Sequence, residues 1–270
     1  MSESDDTSRA SGRTRWWLLA GVLLAAVPAI PIVAGLVAGS SSVRAEAVSG
    51  NTYLPVAPTL PPPTSHPSTQ PHESGSLVAL LKRSTTMRTT PGGRRLATIA
   101  RRTKYGSPQA LWVVHRSGGW LGVISSDAGN GRVGWIARSS TSLTHVPWEL
   151  KVSLGDRRLT VLHNGKTIKH YAVAVGRPSA PTPTGRFSVT DRLETGDPSG
   201  PYGCCILALS ARAPHAIQGW SGGDRIAIHS TPETSSIGHQ VSHGCLRLTL
   251  AEGRWLMNHI PLGTPTLIKT

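Results

Sequence analysis

From Leu77 onward, the apolar residues of this chain come in short runs of about strand length, separated by glycine, proline, asparagine or aspartate. Such runs are typical of β-strands, whereas a helix shows apolar residues every three or four positions over a longer stretch. In this region the helical spacing occurs only in LAEGRWLMNHI, where Leu250, Trp255, Leu256 and Ile260 fall near one face. The sequence therefore predicts a mainly β fold with one short helix near its end.

The amino-terminal region contains a segment suited to a membrane. Residues 16–39 include no charged side chain and are long enough to cross a hydrocarbon core of about 30 Å. Arg9, Arg13 and Arg15 precede this segment, so the positive-inside rule places residues 1–15 in the cytoplasm and the rest of the chain outside. Internal prolines and a poor small-x-small exit favour an uncleaved transmembrane helix over the alternative, a signal peptide.

Residues 40–76 are rich in proline, serine and threonine and show no apolar periodicity. A segment of this composition cannot bury enough apolar surface to fold, and its prolines keep it extended. We therefore expect a stalk that holds the folded part of the protein away from the membrane.

The chain is strongly basic, with a formal net charge of +14. Basic proteins often bind nucleic acid, but an exported domain does not meet that partner, and the arginines are scattered between apolar positions instead of lining one helical face. We expect no nucleic-acid partner. The charge favours attraction to an anionic polymer or lipid leaflet outside the cytoplasm.

Residues 77–144 form a first group of strand-length runs, and two of these, GGWLGV and GRVGWI, include Trp120 and Trp135. This pair resembles bacterial SH3-like domains, in which tryptophan-bearing strands close a small β-barrel. We expect both tryptophans to fill the core, because a small barrel needs large side chains; stacking on a ligand is the alternative. The resemblance implies a module that binds or orients wall peptide, or that spaces the next domain.

Residues 148–270 continue the strand pattern. The two alternating runs of RRLTVLHNGKTIKHYAVAV meet at Asn164-Gly165, a strong hairpin signal. His163 and His170 flank this turn and are expected to be exposed strand residues. A further strand is predicted over residues 186–190.

Three cysteines are present, and in an oxidising compartment at least one thiol stays unpaired unless another chain supplies a partner. Cys204 and Cys205 are adjacent, which strains the usual disulfide geometry. We expect both to be reduced and packed in a strand, with a vicinal disulfide as the alternative. Cys245 is the candidate free thiol.

A possible catalytic arrangement lies around Cys245. In DRIAIHS, alternation places Ile226 and Ile228 on one face and ends on His229; twelve residues follow before Ser242-His243-Gly244-Cys245 leads into another apolar run. A histidine beside a thiol takes its proton and later returns it to a leaving amine. Glycine allows close backbone approach to a substrate, and the amides near Cys245 are candidate donors to an oxyanion. The pattern favours acyl transfer through a thioester.

Two other interpretations of Cys245 stay open on the residues alone. A free cysteine is often a small buried apolar residue. Alternatively, His229, His239, His243 and Cys245 are all acceptable zinc ligands, although their spacings match no common structural site.

The string IHSTPETSSIGHQVSHGCLRL, residues 228–248, resembles the active-site signature of the YkuD-type L,D-transpeptidases. That signature is a histidine, a loop of near-fixed length, Ser/Thr-His-Gly-Cys, an apolar residue, and Arg or Asn. The resemblance extends over residues 148–270, including TPTGRFSV at 182–189 and GPYG at 200–203. Ser230 departs from the pattern, because many members have glycine after the first histidine. The resemblance implies a β-rich catalytic domain over residues 148–270.

For function, the resemblance implies a cysteine-dependent L,D-transpeptidase that acts on peptidoglycan stem peptides. The thiol would attack the third residue of a donor tetrapeptide and release the terminal D-alanine, and the side-chain amine of a neighbouring stem would resolve the acyl-enzyme into a 3→3 cross-link. An L,D-carboxypeptidase and a non-catalytic wall-binding protein are the alternatives. The implied partners are the stem peptides and, through residues 16–39, the bacterial inner membrane.

The same resemblance implies roles for individual residues. Cys245 is the nucleophile, His229 the base and later the acid, and His243 and Gly244 shape the oxyanion site. The residues expected to contact or frame the substrate are Tyr202 in the donor groove, Ser230 narrowing the pocket, Ser242 fixing the turn, and Arg247 orienting a carboxylate or stabilising the fold. No metal and no cofactor are expected.

Overall fold

Strands dominate the computed structural model, which confirms the predicted mainly β fold. The structure describes residues 75–214 and 223–270, all of which belong to one compact unit. The predicted cytoplasmic segment 1–15, the predicted membrane span 16–39 and nearly all of the predicted stalk 40–76 lie outside the described residues. Within the described residues, no helix has the length and hydropathy needed to cross a membrane.

The first sheet contains seven antiparallel strands in the order β3-β2-β6-β5-β4-β1-β7. Their bounds are β1 (Ser76–Leu81), β2 (Thr85–Arg88), β3 (Arg95–Ile99), β4 (Ala110–Ser117), β5 (Trp120–Ile124), β6 (Val133–Ala137) and β7 (Thr141–Val146). A short 3-10 helix at Arg138–Ser140 precedes β7. The core of this sheet is aliphatic and includes Met87, Leu111 and Val123. Its SH3-like character stays a prediction.

The two tryptophans of this sheet do not fill its core, contrary to the expectation from the sequence. Trp120 and Trp135 are only half-buried, whereas their neighbours Leu121 and Ile136 are 1% and 0% exposed. Successive side chains in a strand point to opposite faces, so the register that buries the two aliphatic residues turns the tryptophans outward. Trp135 instead stacks on His115, with ring centroids 6.2 Å apart.

The second sheet contains eight strands in the order β10-β9-β8-β17-β12-β13-β14-β16. Their bounds are β8 (Trp148–Ser153), β9 (Arg158–His163), β10 (Lys166–Ala172), β12 (Gly185–Glu194), β13 (Cys205–Arg212), β14 (Arg225–Ser230), β16 (Leu246–Leu248) and β17 (Pro265–Lys269). β8 runs parallel to β17 and β14 parallel to β16, while the other pairs are antiparallel. A separate parallel pair joins β11 (Val175–Gly176) and β15 (Gln240–Ser242).

The predicted hairpin joins β9 and β10. Asn164 and Gly165 have φ angles of 50° and 73°, the two positive values that a tight two-residue hairpin turn requires. His170 is exposed, as expected, whereas His163 is half-buried because its ring packs on Trp148 with centroids 4.5 Å apart. The strand predicted over residues 186–190 lies within β12.

Apolar and polar contacts join the two sheets. Val78, Ala110 and Val146 of the first sheet form a buried cluster against Trp148 and Leu262.

Two polar contacts also join the sheets. Thr103, in the loop after β3, donates a short hydrogen bond to Asp191 of β12, whose side chain is fully buried. The Asn130 side chain donates to the carbonyl of Arg212 at 2.7 Å and accepts its amide hydrogen at 3.0 Å. The two sheets are therefore in direct contact.

The predicted helix α1 (Leu250–His259) packs beside β13 and β14. Its first turn is closed by a capping box, in which Thr249 Oγ1 accepts the Glu252 amide hydrogen at 3.3 Å and the Glu252 carboxylate accepts the Thr249 amide hydrogen at 3.0 Å. These bonds satisfy amides that would otherwise lack partners at the start of the helix. The helix covers the strands that lead to the candidate site.

We expect Thr249→Ala to lower the free energy of unfolding by about 1 kcal/mol, because the helix loses its capping oxygen. Urea denaturation followed by circular dichroism measures the change. Thr249→Ser is the matched control and should retain most of the stability, because serine keeps an oxygen at the same position. Equal losses in both variants would contradict the capping role.

Candidate active site

A cavity of about 170 Å³ opens beside the end of β14. It brings together six residues that the sequence analysis singled out: Tyr202, His229, Ser242, His243, Cys245 and Arg247. Two others, Ser230 and Gly244, are buried next to the cavity and do not line it.

The parallel pairing of β14 and β16 places His229 and Cys245 in the same cavity. His229 is the fifth residue of β14 and is paired in register with Arg247. Cys245 directly precedes β16, beside the buried Leu246. Ile226 and Ile228 are each 1% exposed, which agrees with the predicted apolar strand that leads to the histidine.

His229 is held as one tautomer. Its Nδ1 lies 2.8 Å from the Ser230 carbonyl oxygen. Since a carbonyl can only accept, Nδ1 carries the proton, and in the neutral ring Nε2 is left as an acceptor. Burial lowers the pKa of His229 to about 4; the Ser230 carbonyl opposes this shift, and the Arg247 charge adds to it. The imidazole is therefore neutral at physiological pH.

Burial raises the pKa of the Cys245 thiol, while a backbone hydrogen bond from Ala227 and the positive charge of Arg247 act in the opposite direction. Cys245 is the free cysteine of the chain. A half-buried thiol with a raised pKa and a buried histidine with a lowered pKa form an uncharged pair at rest. Such a pair acts by proton transfer during the attack, with no preformed thiolate.

The turn before Cys245 is fixed by side chain to backbone hydrogen bonds. Ser242 Oγ accepts the Gly244 amide hydrogen at 3.1 Å and donates to the Cys245 carbonyl at 2.6 Å. Thr182 Oγ1 donates to the Gly244 carbonyl at 2.8 Å. The Gly244 amide is therefore already bonded, which leaves the Cys245 amide as the candidate oxyanion donor of this turn.

Gly244 occupies a position that a larger residue does not fit. Its φ of 112° lies in a region that other residues rarely adopt, and a Cβ there would stand 2.8 Å from Ile226 Cδ1. Glycine at this position thus lets the turn pack against β14.

Tyr202 and His243 form two further walls of the cavity. The Tyr202 ring meets the His229 ring edge-on, with centroids 5.0 Å apart. Burial, followed by the charges of Cys245 and Tyr105, raises the pKa of Tyr202 to about 12, so the phenol stays protonated. Burial, followed by the charges of Arg177 and Arg247, lowers the pKa of His243.

Arg247 lines the cavity and also ties down the loop between the two motif histidines. Its Nη1 lies 3.1 Å from the Glu233 carboxylate. The charge of Arg247 also acts on both His229 and Cys245, and whether the residue orients a substrate carboxylate or stabilises the fold stays a prediction.

Ser230 does not line the pocket, contrary to the expectation from the sequence that it narrows it. Its side chain is fully buried, because its Oγ accepts the Cys205 amide hydrogen at 3.1 Å and donates to the Tyr202 carbonyl at 3.3 Å. Ser230 is thus a positioning residue behind His229.

The expectation that Cys204 and Cys205 are reduced is wrong, because the structure joins them in a disulfide. Because the two cysteines are adjacent, no long chain segment has to be ordered to bring their sulfur atoms together. Both side chains are buried: Cys205 begins β13, and Cys204 directly precedes it. Cys204 Sγ lies 3.4 Å from Ser230 Oγ. The disulfide therefore abuts the residue that orients the histidine.

The zinc alternative finds no support in the side-chain geometry. Residues 75–214 and 223–270 contain no cluster of three His, Cys, Asp or Glu side chains arranged to hold a metal ion. His239, which that alternative requires, is exposed and does not line the cavity.

Sequence reasoning missed Asp224 and Arg225, which also line the cavity. Asp224 accepts two hydrogen bonds from Arg212, at 2.7 and 2.6 Å. Arg225 donates to the Leu209 carbonyl and to Thr190 Oγ1. The sequence signal that could have identified them is their position, because Asp224 and Arg225 form a charged pair directly before the apolar residues that lead to His229.

Comparison with known proteins gives consistent matches. Residues 147–268 match the YkuD family, described as the L,D-transpeptidase catalytic domain. The chain is 33% identical to YkuD of Bacillus subtilis over 123 residues, or 46% of this chain and 66% of that protein. It is 30% identical to L,D-transpeptidase 1 of Mycobacterium tuberculosis over 124 residues, or 42% of this chain and 47% of that protein.

A crystal structure of an L,D-transpeptidase from Mycobacterium tuberculosis aligns at 23% identity with a TM-score of 0.38, covering 53% of this chain and 67% of the other. The matched region spans less than two thirds of the length of the two curated relatives. Residues 147–268 are therefore similar to the L,D-transpeptidase catalytic domain of the YkuD family.

Proposed function

We propose that this protein is a cysteine-dependent L,D-transpeptidase that forms 3→3 cross-links between peptidoglycan stem peptides. The observation that supports this proposal most directly is the pairing, in one cavity, of a free thiol with a histidine whose tautomer presents an acceptor nitrogen. Cysteine acyl transfer needs this combination.

In the first half-reaction, the thiol proton of Cys245 passes to His229 Nε2 as sulfur bonds to the carbonyl carbon of the third residue of a donor tetrapeptide. The carbonyl oxygen becomes an oxyanion, for which the Cys245 amide and the neighbouring His243 are the candidate donors. Collapse of this intermediate breaks the peptide bond, and His229 returns the proton to the departing amine of D-alanine. The product is a thioester on Cys245.

In the second half-reaction, the side-chain amine of a neighbouring stem attacks the thioester. His229 accepts a proton from this amine and delivers it to the departing sulfur, which regenerates the neutral pair. Water in place of the amine would give the L,D-carboxypeptidase reaction.

The other parts of the chain fit a wall-facing location. Residues 16–39 would anchor the protein in the cell membrane, residues 40–76 would act as a stalk, and residues 77–144 would be an SH3-like module. These assignments rest on the uncharged apolar segment, the basic residues before it and the proline-rich composition that follows. The catalytic domain would then lie outside the cytoplasm.

We expect the full chain in detergent to form a covalent adduct with a donor tetrapeptide or a carbapenem-type β-lactam, detected by intact mass. Cys245→Ala should abolish the adduct. His229→Ala should slow acylation by about 10²- to 10⁴-fold through loss of the base, while His243→Ala should weaken it less.

His239→Ala is the matched control, because His239 is exposed in the same loop, and it should acylate at the wild-type rate. An adduct that persists in Cys245→Ala would refute the mechanism. Dimeric stems among the products indicate transfer, and shortened monomers indicate hydrolysis.

The uncharged resting pair also predicts a pH profile. We expect alkylation of Cys245 by iodoacetamide to keep rising with pH beyond about 8.5, the usual pKa of a thiol, because burial raises the pKa of this one. A thiolate–imidazolium pair would instead give a plateau of fast alkylation between about pH 4 and pH 8. Rates measured by mass spectrometry from pH 4 to pH 10 separate the two arrangements.

A further inference from the structure

The loop of residues 101–109, in the first half of the described chain, is tightly closed. The Thr103 amide donates to the Ser107 carbonyl at 2.9 Å, the Gly106 amide donates to the Thr103 carbonyl at 3.0 Å, and Arg102 pairs with Pro108 as an isolated β-bridge. Lys104 and its neighbour Tyr105 therefore form the tip of a small hairpin, hereafter the loop tip.

This loop is fastened to the catalytic domain. The Thr103 hydroxyl donates to the Asp191 carboxylate, which is fully buried. The hydroxyl also accepts the amide hydrogens of Tyr105 and Ser107, each at 3.2 Å. One side chain thus fixes the loop tip internally and holds it against β12.

The loop tip reaches the rim of the Cys245 cavity. Lys104 Nζ lies 4.0 Å from the position that a Cβ on Gly223 would occupy, and Gly223 lines that cavity. Tyr105 is one of the exposed large apolar residues, at 42%, and its phenol contributes to the raised pKa of Tyr202, after burial and Cys245.

Lys104 stands at the Gly223 rim of this cavity, and the two arginines that line the cavity are already bonded. Arg247 is paired with Glu233, and Arg225 donates to main-chain and hydroxyl oxygens. Within the part of the chain that the structure describes, the Lys104 ammonium contacts the Tyr105 ring, 4.8 Å from its centroid, and forms no ion pair.

The carboxylate that lines the cavity, Asp224, is already bonded to Arg212. The rim therefore presents a positive charge whose natural complement is a carboxylate of the ligand.

We propose that the loop tip completes the substrate-binding site of the catalytic domain, with Lys104 binding a carboxylate of the stem peptide at the rim of the Cys245 cavity and Tyr105 packing against the peptide. This inference rests on the proposed function for the identity of the ligand. It assigns part of the substrate specificity to a residue outside the segment that matches the YkuD family.

Binding of a stem tetrapeptide to the full-length Cys245→Ala protein, measured by calorimetry, tests the proposal without turnover. Adding Lys104→Ala should raise Kd about fivefold, the effect of a partly exposed charge-assisted contact. Peptides in which each carboxylate in turn is replaced by a carboxamide identify the group that is bound. The peptide that lacks the bound carboxylate should have the same Kd for the Cys245→Ala protein with and without Lys104→Ala, because its contact with Lys104 is already absent.

Two variants serve as controls. Lys104→Arg keeps a cation and should bind within about twofold of the parent protein. Arg116→Ala removes the same charge from the exposed far end of β4 and should leave Kd unchanged.

Three outcomes would overturn the proposal. The first is an equal Kd with and without Lys104→Ala for every carboxylated peptide, and the second is an equal loss of affinity in Arg116→Ala. The third is no measurable binding of the peptide to the parent Cys245→Ala protein. Failure of the proposed function looks different, because the wild-type protein would then bind the peptide in a Lys104-dependent manner without forming an adduct on Cys245.

Discussion

The parallel pairing of β14 with β16 is the constraint on which the site depends. Two parallel neighbours cannot be joined by a tight turn, so the chain must cross over from the end of one strand to the start of the other. Here the crossover contains a 3-10 helix at Thr234–Ser236 and the short strand β15 before it reaches Cys245. The near-fixed loop length in the motif is thus the length needed to return the cysteine to the histidine.

Burial then determines the chemistry of the pair. Withdrawal from water disfavours charge on both groups, so the pKa of the thiol rises and that of the imidazole falls. The Ser230 carbonyl selects the tautomer, and the Ser230 hydroxyl lies 3.4 Å from the disulfide sulfur of Cys204. The reactivity of Cys245 is therefore set by its surroundings in the sheet as much as by the adjacent residues of its motif.

Local patterns in the sequence were sufficient for much of the fold. The hairpin at Asn164-Gly165, the helix over Leu250–His259 and the apolar strand ending on His229 all depend on neighbouring residues, and all three are present. The free thiol at Cys245 also agrees with the structure.

Most of the errors concern orientation and partners that are distant in sequence; the exception is the disulfide between the adjacent Cys204 and Cys205, which were expected to be reduced. Trp120 and Trp135 face outward because the strand register, which the composition does not determine, buries their neighbours. The bond from Thr103 to Asp191 joins residues 88 positions apart, and no local signal indicates it. Ser230 was assigned to the pocket because proximity to His229 in sequence does not reveal on which side of the strand its hydroxyl lies.

The contact between the sheets also bears on how the protein unfolds. Separation at Pro147 would expose the apolar surface shared by Val78, Val146 and Leu262 and would leave the buried Asp191 carboxylate without Thr103. Exposure of the apolar surface to water is costly. The loss of the Thr103 hydrogen bond is costly for as long as the Asp191 carboxylate stays buried. The two sheets should therefore melt as one cooperative block, so that the boundary visible in the sequence is not a boundary in the unfolding transition.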